Sequence, residues 1–323
     1  MRVLVLNPGS SSLKGSLVRL PGLDVVRAAE VDWGTDATAR SDRSAGVTAL
    51  VDRLLADDTA DAVGYRVVHG GARYRSPVVL DDAVVRGIEE LATMAPLHNP
   101  VAAETIRAGR ERLPDVPHVA CFDTAFHATL PEDAWRYPLP ADWVEPHGLR
   151  RFGFHGLSVE WSVSRAAELL GRPADGLGLV VAHLGSGCSV TAVEDGRSVD
   201  TSMGFTPLEG LMMGSRAGSV DPGILLHLLR VGVAVDELAD GLDHRSGLVA
   251  VSGVTGGIGE NSASIRAAIT GRLAVLGVPP VTAAASADAV LTKPEAPVQV
   301  VRVAAREDLV IARDVARLMG RGA

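Results

Sequence analysis

Three glycine-rich loops in this sequence of 323 residues could hold phosphate groups. They span residues 7–12, 183–188 and 256–261, and each adjoins a short apolar run. Where glycine leaves no Cβ in the way, backbone N–H groups can approach phosphate oxygens closely. The Walker pattern GxxxxGK[ST] is absent from the sequence. Together the three loops predict a nucleotide held between two domains, although each loop alone is equally compatible with a structural turn.

Polar residues form a second group of candidates, because they stand beside loop signals and not on solvated helix faces. They are Arg66, His69, Asp123, His127, His155 and Arg216. Ligands of open α/β sheets bind beyond the carboxyl ends of the strands, and Asp123 follows a predicted strand end at residue 119. Each histidine taken singly is more often a buried structural residue than a functional one. The zinc patterns CxxC and HExxH and the nucleophile pattern GxSxG do not occur.

Composition excludes several classes of protein. The net charge is -8, from 31 basic and 39 acidic residues, which argues against nucleic-acid binding through a broad basic face. The two cysteines, Cys121 and Cys188, cannot build a disulfide framework and suit a reducing compartment. No apolar run approaches the roughly 20 residues of a membrane helix, and the N-terminus lacks secretion-signal features. We therefore expect a cytoplasmic chain with neither nucleic acid nor membrane as a partner.

The elements that must position these residues follow a repeated pattern. A strand, a glycine loop, a strand, a turn and a strand occupy residues 2–33, and the same order recurs at 179–201. Helical spacing of apolar residues predicts helices at 45–55, 82–94, 99–112, 158–170, 221–229, 262–276 and 307–319. Strands that alternate with helices predict an α/β fold with largely parallel sheets. We expect one domain over residues 1–150, joined by the helix 307–323, and a second over 151–306. Because glycine hairpins are common, the repeat alone leaves duplication open.

These motifs resemble the acetate kinase family, within the superfamily of acetate and sugar kinases, Hsc70 and actin. The resemblance covers nearly the whole chain, and its most specific run is Asp-Thr-Ser-Met-Gly-Phe-Thr-Pro-Leu-Glu-Gly at 200–210. It implies duplicated actin-like (ribonuclease H-like) domains with mixed, largely parallel sheets and an interdomain cleft. It implies reversible, direct in-line transfer of a phosphoryl group from ATP to acetate, giving acetyl phosphate and ADP, with Mg²⁺ or Mn²⁺. A cytoplasmic homodimer is also implied.

The resemblance also assigns roles to residues of this chain. The catalytic residues would be Asp123, His155, Arg216 and Arg66. The acetate site would comprise Arg66, Val68, Leu97, Phe154 and Pro207. Asn7 and Glu307 would support the metal. The nucleotide would contact Lys14, Ser10, Ser12, His183, Leu184, Gly185, Ser186, Gly187, Gly257, Ile258, Gly259, Glu260 and Asn261.

One departure from the family pattern is large. After Val254 the family continues with an Asp-Phe-Arg loop that touches the nucleotide, then a helix and an apolar strand, whereas here Val254 leads directly into the third glycine loop. We expect the apolar run 248–254 to replace the missing strand and close a shortened second domain. A smaller departure is Ser186, where the family has asparagine. The alternatives are a non-catalytic relic that binds nucleotide weakly, or a propionate or butyrate kinase.

Overall fold

The computed structural model describes residues 1–9, 12–33, 40–253, 262–282 and 285–321. The chain forms two compact units. Unit 1 comprises Met1–Ala128, Phe154–Trp161 and Arg306–Ala323, and unit 2 comprises Thr129–Gly153 and Ser162–Ala305. The C-terminal helix, Glu307–Leu318, belongs to unit 1. The division differs from a boundary at residue 150, because 129–150 lie in unit 2 and 154–161 in unit 1.

Strands and helices alternate along the described chain. The strands are β1 (Arg2–Pro8), β2 (Ser12–Arg19), β3 (Asp24–Asp32), β4 (Ala62–Val67), β5 (Val78–Val79), β6 (His118–Phe122), β7 (Gly178–Leu184), β8 (Cys188–Glu194), β9 (Arg197–Thr201), β10 (Ala289–Val290) and β11 (Val301–Arg302). The α-helices are α1 (Arg40–Leu55), α2 (Asp82–Glu90), α3 (Asn99–Arg112), α4 (Glu132–Trp135), α5 (Ala141–His147), α6 (Gly156–Leu170), α7 (Pro222–Arg230), α8 (Val235–His244), α9 (Gly247–Ser252), α10 (Ala263–Arg272) and α11 (Glu307–Leu318). Short 3₁₀ helices cover Leu91–Thr93, Ala125–Thr129 and Ala274–Leu276.

None of the helices in the described ranges is long and apolar enough to cross a membrane.

Unit 1 is built on a six-stranded mixed sheet in the order β3-β2-β1-β4-β6-β5. The central strands β1, β4 and β6 run parallel, and the outer pairs are antiparallel. Side chains of β1 alternate between the two faces, as the period of two in a strand requires. Leu4 and Leu6 pack in the cluster that α1 and α3 cover, whereas Val3 and Val5 pack with α11. The expected α/β class is confirmed.

The contact between α11 and the sheet depends on a glycine. Gly64 lies in the middle of β4, and a Cβ there would lie 2.5 Å from Cγ2 of Ile311 and 2.9 Å from Cγ2 of Val315. Both α11 side chains are fully buried. The missing side chain therefore lets the helix lie close against the parallel centre of the sheet. Glu307, the first residue of α11, consequently has a defined place near the sheet.

Unit 2 contains a smaller, three-stranded antiparallel sheet in the order β7-β8-β9 and a two-stranded pair, β10-β11. The repeated strand–loop–strand–turn–strand pattern is thus confirmed, because β1-β2-β3 and β7-β8-β9 are both antiparallel meanders. The parallel pairing expected for the second domain is not found among the described residues of unit 2.

The strand predicted at residues 248–254 is wrong for 248–253, and Val254 lies outside the described residues. Residues 247–252 form the short helix α9. Its first residue, Gly247 (φ +69°), and the residue that follows it, Gly253 (φ +67°), have left-handed conformations. A glycine in this conformation just after the last turn is the usual end of a helix. Periodicity could not distinguish the two outcomes, because a short continuous apolar run fits a buried strand and a helix equally well.

Candidate active site

Polar side chains converge at the carboxyl edge of the unit 1 sheet. Asn7 lies near the end of β1, Arg66 near the end of β4, and Asp123 directly follows β6. Because these three strands are parallel neighbours, their carboxyl ends reach the same edge. Glu307 approaches from the N-terminus of α11. The structure thus brings together four residues that are distant in sequence but were all predicted as site residues.

Arg66 is the centre of this cluster. Its guanidinium donates from Nε to Oδ1 of Asp123 at 3.0 Å and from Nη2 to Oδ2 at 2.6 Å, a two-pronged pairing. Nη1 donates to Oδ1 of Asn7 at 3.3 Å. Oε2 of Glu307 lies 3.6 Å from Nε of Arg66 and accepts a hydrogen bond from Nδ2 of Asn7 at 2.8 Å. Only 1% of the Asp123 side chain and 17% of the Arg66 side chain are exposed.

Charge and burial oppose each other in this cluster. Burial alone lowers the pKa of Arg66, but the carboxylates of Asp123 and Glu307 outweigh it and hold the pKa above its ordinary value. Burial raises the pKa of Asp123, Arg66 opposes the rise, and the charge of Glu307 adds to it. One guanidinium therefore serves two carboxylates, and the group carries a net negative charge when both are ionised.

The donor atoms of the cluster suit a hard cation. Asn7, Asp123 and Glu307 offer only amide and carboxylate oxygens near the net negative charge, and Mg²⁺ prefers such ligands while it keeps several waters. Within the described ranges no group of three or more His, Cys, Asp or Glu residues could enclose a metal by itself. The residues present therefore fit a partly hydrated Mg²⁺ or Mn²⁺ better than a fully enclosed metal.

His155 lies on a loop that is bonded to the backbone of Asp123. The N–H of Gly156 donates to the carbonyl oxygen of Asp123 at 2.8 Å, and a Cβ on Gly156 would lie 2.1 Å from that oxygen. Only glycine permits this approach. His155 itself has φ +59°, which is uncommon for a residue with a side chain. The local backbone therefore sets the position of His155 relative to Asp123.

The residues predicted for the acetate pocket belong to different units. Val68 and Phe154 are buried in unit 1, and Leu97 in the same unit is 39% exposed. Pro207 belongs to unit 2. The ring of Phe154 meets the ring of His69 edge-on with centroids 5.3 Å apart.

Arg216 in unit 2 is a half-buried cation that forms no ion pair with any described residue. Its Nη1 donates to the carbonyl oxygen of Pro207 at 3.3 Å and lies 3.9 Å from Sδ of Met213. Burial lowers its pKa, an effect that the charge of Asp243 opposes. A guanidinium that is partly removed from water and lacks a carboxylate partner is suited to bind an anion.

The second glycine loop lies next to the segment that carries Arg216. Residues 185–187 join β7 to β8, and the N–H of Gly214 donates to the carbonyl oxygen of Ser186 at 3.0 Å. His183 and Leu184 end β7, and Gly185 and Gly187 close the turn by a backbone hydrogen bond of 3.1 Å. In unit 1, Lys14 is exposed opposite Asn7, and Oγ of Ser12 donates to Glu30 at 2.6 Å. Ser10 and the predicted nucleotide residues Gly257, Ile258, Gly259, Glu260 and Asn261 lie outside the described residues.

One group of supporting residues was not predicted. Arg151 donates to the carbonyl oxygens of Thr201, Ser202 and Met203, each at 3.2 Å, and to Glu209 at 3.1 Å. The hydroxyl of Tyr137 donates to Glu209. These bonds hold the segment that leads to Pro207. Spacing could not have revealed them, because the partners are 50 or more residues apart.

The relatives of this α/β chain show that it is an ATP-dependent kinase, which is a class of transferase. Comparison with known proteins identifies the group within this class. The Acetokinase family model matches residues 2–256 and 254–313, and the chain belongs to this family. The resemblance inferred from the sequence is therefore confirmed.

Similar proteins cover almost the whole chain. An acetate kinase of Geobacillus kaustophilus (strain HTA426) is 37% identical over 391 aligned positions, which include 98% of this chain and 99% of the relative. The crystal structure of Porphyromonas gingivalis acetate kinase is similar with a TM-score of 0.83 at 29% identity, covering 98% of this chain and 99% of that one. A propionate kinase from Francisella tularensis subsp. tularensis SCHU S4 has a TM-score of 0.85 at 29% identity, covering 97% and 98%.

The comparisons also confirm the missing internal segment. This chain has 323 residues, whereas its alignment with the Geobacillus relative spans 391 positions. The two family matches meet at residues 254–256, which is the junction where the sequence predicts the loss.

Proposed function

We propose that this chain catalyses the reversible transfer of a phosphoryl group from ATP to acetate, giving acetyl phosphate and ADP. The observation that carries the proposal is the cluster of Asn7, Arg66, Asp123 and Glu307, in which four distant segments meet with matched donors and acceptors. All four residues lie outside the junction at 254–256. In direct phosphoryl transfer the protein contributes mainly positioning and charge stabilisation, and this cluster is suited to both.

Arg66 would bind the acetate carboxylate through the N–H groups of its guanidinium that Asp123 and Asn7 do not use. Of the five N–H groups of a guanidinium, Nε and one N–H on each terminal nitrogen are used by Asp123 and Asn7. Two N–H groups remain, one on each terminal nitrogen, and they can donate hydrogen bonds to a carboxylate or phosphoryl oxygen. Asp123 would hold the guanidinium in this orientation.

Arg216 and His155 would stabilise the charge of the transferring phosphoryl group. Arg216 suits this role because it is a half-buried cation without a carboxylate partner among the described residues. His155 would contribute its ring from the loop that is bonded to Asp123.

Mg²⁺ or Mn²⁺ would bind beside Asn7 and Glu307, largely through water, and would neutralise phosphate charge when present. The nucleotide would contact Lys14, Ser10, Ser12, residues 183–187 and residues 257–261. Ser186 offers a short hydroxyl where the family has a longer amide, and the segment with the Asp-Phe-Arg contact is missing. A raised KM for ATP is the expected consequence.

The acetate pocket would comprise Val68, Leu97, Phe154 and Pro207 around the methyl group. An apolar pocket distinguishes one methylene by only about 1–3 kcal/mol, so we expect propionate as a slower second substrate. Propionate kinase is the second candidate function, favoured by the likeness to the Francisella enzyme. A cytoplasmic homodimer is part of the proposal.

The test is formation of acetyl phosphate by the purified chain with Mg-ATP and acetate, trapped as the hydroxamate. Arg216→Ala should abolish turnover. The matched control is Arg230→Ala, which removes an exposed arginine at the end of α7 and should keep wild-type activity. No turnover from a wild-type chain that melts cooperatively would favour the non-catalytic relic instead.

A further inference from the structure

His127 is a buried histidine that the proposed mechanism does not use. Its side chain is 1% exposed, and Nε2 lies 2.9 Å from the carbonyl oxygen of Phe154. Because a carbonyl oxygen only accepts hydrogen bonds, Nε2 must carry the proton and donate it. Burial lowers the pKa of His127 to about 4, although the bond to Phe154 opposes this shift. The ring is therefore neutral near pH 7 and can keep this donor.

The carbonyl group that His127 holds begins the peptide unit that leads into His155. His155 adopts φ +59°, and such conformations persist only where the surrounding structure enforces them. Two backbone bonds act on the other side of this residue. The N–H of Gly156 donates to Asp123 at 2.8 Å, and the N–H of Val159 donates to the carbonyl oxygen of His155 at 2.9 Å. The hydrogen bond from His127 to Phe154 fixes the backbone on the N-terminal side of His155.

Phe154 is held at its ring as well as at its carbonyl group. The ring of His69 meets it edge-on at 5.3 Å. The amide of Asn99 binds the backbone of His69 in both directions, at 3.1 Å and 3.0 Å. His127 belongs to the short segment that also contains Asp123, and its own N–H donates to Thr124 at 3.2 Å. The segment 123–127 thus binds the segment 154–156 at two points.

We propose that His127 is a positioning residue, whose Nε2–H holds the Phe154 carbonyl group and so sets the backbone of His155 for phosphoryl transfer. This inference rests on the proposed function. This role needs an uncharged N–H donor at the position of Nε2. His127 affects the reaction only through the position of His155. A residue that only stabilised the fold would not depend on His155.

The experiment compares His127→Gln with His127→Asn. The amide nitrogen of glutamine reaches the place of Nε2, whereas that of asparagine stops near Nδ1 and leaves the Phe154 oxygen unpartnered. Misplacing a catalytic group by about 1 Å can cost about 100-fold in rate. We expect His127→Asn to lower kcat for acetyl phosphate formation at least about 10-fold, and His127→Gln to stay within about 3-fold of the wild type.

A double-mutant cycle separates positioning from general stability. In a His155→Ala background, His127→Asn should lower kcat less than about 2-fold, because the residue it acts through is already gone. An equal loss in both backgrounds would overturn the inference, as would equal kcat values for the Gln and Asn variants. Should the Asn variant not fold, ¹⁵N NMR of the wild-type chain replaces it, and an Nδ1–H tautomer of His127 would refute the assignment.

The wild-type assay distinguishes the two levels of the proposal. If the wild-type chain forms acetyl phosphate and His127→Asn keeps its kcat, only the positioning role fails. If the wild-type chain forms none, the proposed function fails and the inference fails with it.

Discussion

Removing the cation of the unit 1 cluster should destabilise the protein more than removing its most buried anion. In Arg66→Met, Asp123 (1% exposed) and Glu307 (15% exposed) lose the guanidinium that they share. An uncompensated buried charge typically costs about 3–5 kcal/mol, and here the charge of Glu307 adds an unfavourable interaction with Asp123. We therefore expect the free energy of unfolding to fall by at least about 3 kcal/mol.

Asp123→Asn should cost less, because Arg66 keeps other partners. Glu307 remains 3.6 Å away and Asn7 accepts at 3.3 Å, while the new amide oxygen can still accept one bond. The loss is then about one charge-assisted hydrogen bond, or about 2 kcal/mol. The buried carboxylate is also gone, which removes the desolvation cost that raises the pKa of Asp123.

The decisive comparison is the double variant Arg66→Met/Asp123→Asn. Since the second substitution removes a carboxylate that the first left unpaired, the double variant should be more stable than Arg66→Met alone. Urea unfolding at pH 7.5 measures the difference, with hydrogen exchange of β4 and β6 amides to report on unit 1 separately. Arg19→Met, which breaks a pair with both side chains more than half exposed, is the control and should match the wild type. A double variant less stable than Arg66→Met would refute the reasoning.

Three further predictions concern unit 1 outside the cluster. Burial and a nearby glutamate raise the pKa of Asp314 to about 7. The stability that depends on its protonation is therefore fully present below about pH 4, the ordinary pKa of an aspartate, and is lost as the pH rises through 7. Asp314→Asn should therefore raise the Tm at pH 8 but not at pH 4, and an equal effect at both would contradict this. Gly64→Ala should cost about 1–3 kcal/mol in urea unfolding through overlap with Ile311, whereas Gly271→Ala, with open space around it, should cost nothing. Asn99→Ala removes three buried hydrogen bonds from the Asn99 side chain to the backbone of His69 and Ile88, and it should lower the free energy of unfolding by about 3 kcal/mol. A loss below about 1 kcal/mol would argue against the described bonds.

The local part of the site could be predicted from sequence, and its assembly only in part. Asp123 was expected at a strand end, because an apolar strand followed by a polar loop is a local pattern. The pairing of Arg66 with Asp123 depends on β4 lying beside β6, and 57 residues separate the two side chains. The periodicity of apolar residues does not indicate which strands lie side by side in a sheet. Glu307 was assigned only through the family resemblance, since it lies 300 residues from its partner Asn7.

The error at residues 248–254 has a physical reason. Like β7, this run is short and apolar. However, β7 is followed by a hairpin turn, and the turn brings β8 alongside it as a pairing partner. A strand without a neighbour leaves its backbone N–H and C=O groups unpaired, whereas a helix pairs them internally. Within the described part of the chain no strand pairs with residues 247–252. A local pattern does not show whether a partner strand is available, and the run forms α9 instead.

The hydrogen bond between Asn7 and Glu307 can form only late in the synthesis of the chain. Its two ends leave the ribosome 300 residues apart, which at about 5–20 residues per second is an interval of about 15–60 s. Until α11 emerges, the face of the unit 1 sheet with Val3, Val5 and Val119 lacks most of its cover, because α6 contributes only Leu157 and Trp161 to the described cluster. The nascent chain must carry that uncovered apolar surface through most of its synthesis, so chaperone demand and the effect of C-terminal truncation should both be greatest in the unit that is made first.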